Sequence, residues 1–146
     1  MIDAMRKNRS LRKLSFAYGR EHVRDDEAAQ LADVLAEIDM LTSLSLVACE
    51  IDVRGFEALA KALRTNTTLQ RLDVSWNDTV TDDGVRAMVE TLTADNHTLR
   101  KVTVAQCGVD TEVVDEMEQL LQRNERLCVQ READEAEARG RIKRAR

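Results

Sequence analysis

Leu69 to Asn77 reads LQRLDVSWN. Its first, fourth and sixth positions, Leu69, Leu72 and Val74, are apolar, and the residues around Leu72 and Val74 are polar. In an extended chain successive side chains point to opposite faces, so this alternation predicts a short strand with one face buried. The pattern recurs as LRKLSFAYG from Leu11, LTSLSLVAC from Leu41 and LRKVTVAQC from Leu99, with starts 30, 28 and 30 residues apart. A period of this size implies similar units stacked side by side, none of which buries its apolar face alone.

The second half of each unit is also regular. After Val23, Ile51, Val80 and Val109, apolar residues recur five, eight and twelve positions on, as in Phe56, Leu59, Leu63 and Val85, Met88, Leu92. That spacing marks one face of a helix. Asp52, Thr81 and Asp110 precede these helices and are placed to accept an orphan backbone N–H. Asn8, Asn66, Asn96 and Asn124 follow the helices, where the expectation is that asparagine takes the left-handed conformation that ends them. That structural role also accounts for the glycosylation-like triplets beginning at Asn8, Asn66 and Asn96.

A strand and a helix per unit, with Gly19, Cys49, Asn77 and Cys107 at the ninth position and Gly55 and Gly84 near the helix starts, resembles the ribonuclease-inhibitor type of leucine-rich repeat. The resemblance implies an α/β solenoid: a curved parallel sheet with helices on its convex side, in about four repeats. It also implies that Cys49, Asn77 and Cys107 bond backbone groups of the turn. Departures are Gly19 for Cys or Asn, Glu27 for Gly, an extra residue near Asp78 and Thr79, and Val113 for the helix-start glycine. Met1 and Met5 match Leu59 and Leu63, so the chain opens with a half-repeat. Leu127 begins a fifth unit, but Gln130 and Glu132 fall where apolar residues belong. The expected division is a repeat domain over residues 1–127 and a charged C-terminal helix or tail over 128–146.

Composition fits this reading. With 43% hydrophobic but 3% aromatic residues, the core must be built from aliphatic side chains, as many similar layers require. The net charge of −5 argues against general nucleic-acid binding, which needs a concentrated basic face. Residues 131–146 carry six basic and four acidic residues, leaving a tail of +2 on a body of −7. The three cysteines lack CxxC spacing, so neither a disulfide framework nor a metal site is expected. MIDAMRKNRS has no apolar run of signal-peptide length, and no window approaches the ~18 apolar residues of a spanning helix. The expectation is an intracellular, cytoplasmic protein without membrane contact.

Catalytic constellations are not apparent. His22 and His97 fall in opposite connections of their repeats, and no nucleophile elbow, zinc-protease helix or phosphate loop occurs. No catalytic residue and no cofactor is expected.

The residues between the apolar strand positions should line the concave face in columns. The third positions are Lys13, Ser43, Arg71 and Lys101; the fifth are Ser15, Ser45, Asp73 and Thr103; the seventh are Ala17, Val47, Ser75 and Ala105. Arg12 and Arg100 add charge beside this strip. The eighth positions are Tyr18, Ala48, Trp76 and Gln106, which puts the chain's single Tyr and single Trp in one column at the rim. Aromatic and arginine side chains dominate interface energies. Trp76, Tyr18, Lys13, Arg71, Lys101, Arg100 and Asp73 are therefore the candidate partner-binding residues.

The function expected is that of a non-catalytic protein-binding scaffold, adaptor or structural subunit of a larger assembly. Size, the Asn66–Leu69 turn and the basic end also resemble the leucine-rich repeat domain of tropomodulin, which implies actin capping. Other readings are an enzyme regulator, either an inhibitor or a small-GTPase activator, and RNA contact through Lys13, Arg71, Lys101 and the tail.

Overall fold

The computed structural model describes residues 2–8, 10–17 and 25–144. In chain order these form α1 (Ile2–Lys7), β1 (Lys13–Ala17), α2 (Asp25–Glu37), β2 (Ser43–Val47), α3 (Val53–Ala62), β3 (Arg71–Asp73), α4 (Asp82–Ala94), β4 (Lys101–Thr103) and α5 (Thr111–Arg144). The strands make one parallel sheet in the order β1-β2-β3-β4. Lys13 pairs with Ser43, Ser43 with Arg71 and Arg71 with Lys101, so the register repeats the sequence period without slip. Each helix packs on the next, giving a leucine-rich repeat solenoid with a sheet layer and a helix layer.

The core lies between these layers. Leu44 and Leu72 from the strands, Leu35, Leu59, Met88 and Leu92 from the helices, and Leu63 at the C-terminal cap of α3 are fully buried. Met5 of the opening half-repeat joins the same cluster; Met1 lies outside the described residues. Helix-start glycines allow neighbouring helices to approach closely. A Cβ on Gly55 would stand 3.0 Å from the Ala28 Cβ, and one on Gly84 would stand 3.1 Å from a ring carbon of Phe56. In the fourth unit the residue at the position of Gly84 is Val113, which is buried.

Buried polar side chains tie the units together. The Asn77 amide donates to the carbonyls of Leu46 (2.9 Å) and Val74 (2.7 Å), and its Oδ1 accepts from the N–H groups of Cys49 and Ile51, both at 3.0 Å. The thiol of Cys49 donates to Phe16 O at 3.5 Å, and that of Cys107 to Val74 O at 3.3 Å. These are the turn bonds implied by the family resemblance. Burial pushes both thiols above their ordinary pKa, which keeps them protonated and able to donate.

The asparagines after the helices behave differently from expectation. Left-handed backbone occurs instead at Ala48, Glu50, Trp76 and Gln106. Asn66, Asn96 and Asn124 are buried and reach back one repeat. Asn66 Nδ2 donates to Leu35 O (2.7 Å) and Ile38 O (3.1 Å), while its Oδ1 accepts from Thr68 N and Leu69 N. Asn96 Nδ2 repeats this one unit later, on Leu63 O (2.7 Å) and the backbone O of Asn66 (3.1 Å). Asn124 Nδ2 continues the relay to Asn96 O (3.1 Å) and Leu99 O (2.8 Å). A side-chain amide with two donors and an acceptor satisfies carbonyls left over from one helix and N–H groups opening the next strand.

Two further expectations are corrected. Asp52 caps α3 through Gly55 N (2.8 Å), but Thr81 makes no side-chain cap bond to α4. The neighbouring Asp82 instead accepts from Asp110 N, 28 residues on, at 2.8 Å. Asn124 does not follow a helix but lies within α5, which runs unbroken from Thr111 to Arg144. The helix therefore passes through 127–128 without interruption, and its outer half is laced by Glu135–Arg139 and Glu137–Arg141 pairs. Among the described residues no helix is long and apolar enough to cross a membrane.

Candidate protein-binding surface

Period-two alternation turns the third and fifth strand positions away from the core. Lys13, Arg71 and Lys101 are exposed in one column, with Ser43 half-buried between them. In the next column Ser15 is exposed and Ser45, Asp73 and Thr103 are half-buried. Arg71 and Lys101 stand directly opposite each other on neighbouring strands, and among the described residues neither forms an ion pair. Like charges in that position repel. The pair therefore forms a local positive strip on an acidic body.

Asp73 is more constrained than its column suggests. Its Oδ1 accepts from the Ser75 hydroxyl at 2.6 Å and from Ser75 N at 3.0 Å, fixing the chain as it leaves β3. The outward reading of the seventh column fails at Ser75, which is 6% exposed, because this bond draws its hydroxyl back against the strand end. The carboxylate still faces the concave side while it holds the turn.

That turn presents Trp76. Trp76 is 59% exposed, and its backbone φ is +63°. Ala48 and Gln106, at the same position one unit before and after, have φ of +53° and +58°. The left-handed turn is thus a property of the repeat, and it disfavours bulky side chains. Main-chain bonds hold it: Trp76 N donates to Ala105 O at 2.8 Å, and Ala48 N to Ser75 O at 3.0 Å. Tyr18, its expected aromatic partner in the column, lies outside the described residues.

Arg100 does not join the concave strip. Its guanidinium turns toward α5, 3.5 Å from the Glu125 carboxylate and 2.6 Å from the Cys128 sulfur. Burial, followed by the Glu132 carboxylate, holds the Cys128 thiol above its ordinary pKa against the pull of Arg100. Arg12 similarly donates to the Met40 carbonyl at 3.4 Å. Among the described residues no group of three or more His, Cys, Asp or Glu could hold a metal.

The sequence did not reveal a cleft of about 470 Å³ at the C-terminal end of the sheet. Arg71, Lys101, Val102 and Thr103 line one side, and Glu118, Leu121, Gln122 and Glu125 of α5 line the other. The i, i+4, i+7 spacing of Glu118, Gln122 and Glu125 was the available signal. Its meaning depended on knowing that α5 continues past Asn124.

Comparison with known proteins agrees with this architecture. Residues 65–89 match a family model described as Leucine Rich repeat. Mouse NACHT, LRR and PYD domains-containing protein 4C is 29% identical over 104 residues, or 70% of this chain and 10% of that protein. The mouse protein 14 of the same series is 35% identical over 69 residues, 47% of this chain and 7% of that protein. The chain thus spans about a tenth or less of the length of these relatives. A solved structure described as Leiomodin-1 Actin-Binding Site 2 superposes with a TM-score of 0.76 at 16% identity, covering 94% of both chains. The tropomodulin C-terminal domain of Caenorhabditis elegans gives 0.56 at 14% identity, covering 90% of this chain and 96% of that one. Period, strand register, turn bonds and matching model converge on one conclusion: the chain has the leucine-rich repeat fold, similar to those of the leiomodin and tropomodulin domains.

Proposed function

We propose that the chain is a non-catalytic protein-binding module that engages its partner through Trp76 and the Arg71–Lys101 strip. The observation that carries this reading is the exposed indole at +63° in a turn that would be more relaxed with a small residue. An aromatic side chain beside unpaired cations offers a large apolar contact together with charge steering, the usual make-up of an interface anchor. Lys13 extends the basic column, and Asp73 sets the direction of the turn. The module would serve as a scaffold, adaptor or structural subunit in a larger assembly.

The superposition on the leiomodin actin-binding site favours actin as the partner to test first. Because Trp76 is the chain's single tryptophan, its emission reports directly on the surface. Co-sedimentation with actin filaments, and with any partner recovered by cross-linking in native extract at low salt, should be lost on Trp76→Ala while the melting transition stays within ~1 °C. No co-sedimentation at tens of micromolar actin would exclude actin. A partner whose binding survives Trp76→Ala and Arg71→Ala together would exclude the surface.

A further inference from the structure

The open edge of β4 is built to continue the sheet. Within the stack, the carbonyl of each second strand position accepts two N–H groups from the following unit. Arg12 O accepts from Thr42 and Ser43 at 2.8 and 3.1 Å, Thr42 O from Gln70 and Arg71 at 2.9 and 3.1 Å, and Gln70 O from Arg100 and Lys101 at 2.9 and 3.1 Å. Arg100 O is next in this series, and among the described residues no backbone N–H is placed against it. Lys101 N donates to Gln70 O and Thr103 O accepts from Val74 N, so Val102 between them directs its own N–H and carbonyl to the free edge. Where a fifth strand would lie, the chain instead continues as α5 and leaves the cleft between itself and β4.

We infer that this edge binds an extended peptide of a partner protein as a fifth parallel strand, with an acidic residue opposite Lys101 and an aliphatic residue opposite Val102. This surface shares Lys101 with the proposed binding strip but does not include the Trp76 turn. Two observations select the peptide. The residue beside Lys101 would share its column, where the Arg71–Lys101 repulsion is relieved by a carboxylate; of the two carboxylates on the α5 wall of the cleft, Glu118 and Glu125, the latter is paired with Arg100. The next residue would point inward, over Val102 and Leu121, which line the cleft and belong to the core. Main-chain bonds then supply affinity and alternate side chains supply selectivity, as in other cases of strand addition.

The test uses the intact chain and an acetylated hexapeptide of the strand pattern, Leu-Thr-Glu-Leu-Asp-Val. Its second and third N–H groups match the pair that each earlier unit donates, and its glutamate falls in the third column. Two control peptides carry Lys for Glu or N-methyl groups at those two nitrogens. The expected results are saturable binding of the first peptide, slowed amide exchange at Val102, and loss of binding on N-methylation. Lys101→Glu should weaken the acidic peptide on the order of ten-fold and favour the Lys peptide by a similar factor; Trp76→Ala should change neither. Lys101 is exposed, and an unchanged melting transition verifies that the variant is folded. Equal binding of the N-methylated peptide, unaltered exchange at Val102, or no binding at millimolar peptide would overturn the inference. Self-association that protects Val102 without peptide would assign the edge to a second copy and overturn the assignment to a separate partner.

Discussion

At Trp76 the demands of backbone and surface conflict. The turn holds left-handed φ at this position in three successive units, a conformation that costs an L-residue roughly 1–2 kcal/mol. Trp76→Gly should therefore raise stability, by about 0.5–1 kcal/mol after glycine's own entropy loss, as measured by chemical denaturation. The same change should weaken partner binding by ~2 kcal/mol or more, as loss of an anchor does. If stability falls instead, the indole is covering the turn and not serving a partner. The buried asparagines show what sequence could convey at this scale. Their recurrence was visible, but a single residue's pattern does not distinguish a left-handed terminus from a side chain that reaches 28 to 33 residues back. The recurring Ser or Thr two places later and Leu three places later was the overlooked sign, since the Asn oxygen accepts both of those N–H groups. Asn96→Ala should cost at least ~3 kcal/mol, because several buried backbone groups lose their partner at once. Cys49 and Cys107 are held protonated by burial, so their contribution should be lost as pH rises above the ordinary thiol range; a midpoint for denaturation that falls there, and does not fall in Cys→Ser variants, checks the sign.

At the scale of the element, apolar spacing placed all four strands, each beginning within a residue or two of its reading. Leu72→Ala should open a cavity costing ~2–5 kcal/mol, measured by urea denaturation. Gly84→Ala tests the helix contact from the opposite direction: an added methyl 3.1 Å from the Phe56 ring forces the helices apart and should cost ~1–3 kcal/mol. Helix ends were less legible than helix faces. A cap depends on where the preceding turn aims its oxygen, and the extra residue in the third unit leaves Asp82, not Thr81, bonding across units. The course of α5 was hidden for a related reason. Leu127 announces a strand by its spacing, yet the polar Gln130 and Glu132 give that strand nothing to bury, and good helix formers continue to Gly140. Deleting residues 131–146 should lower helical signal while leaving the denaturation midpoint of the repeats unchanged.

For the molecule as a whole, charge and shape separate into distinct regions. Acidic side chains dominate the body, while Arg71 and Lys101 concentrate positive charge on one face. Arg71→Ala and Lys101→Ala should each slow partner association at low salt, with the difference shrinking as the screening length falls below ~8 Å. Arg86→Ala, on the exposed side of α4, should leave binding unchanged. Sequence periodicity made the concave columns readable because strand register follows repeat length. It could not reveal that Arg100 turns from its column to α5, since that depends on a helix that sequence patterning assigns to two separate segments. The parallel order β1-β2-β3-β4 has a mechanical consequence as well. Tension between the two ends of the stack would load one outer strand at a time, peeling its bonds singly and not shearing a whole ladder. In a force spectrometer the chain should therefore yield at low force in steps of about 100 Å, the contour length of one ~30-residue unit, with the strongest resistance where an asparagine spans two units.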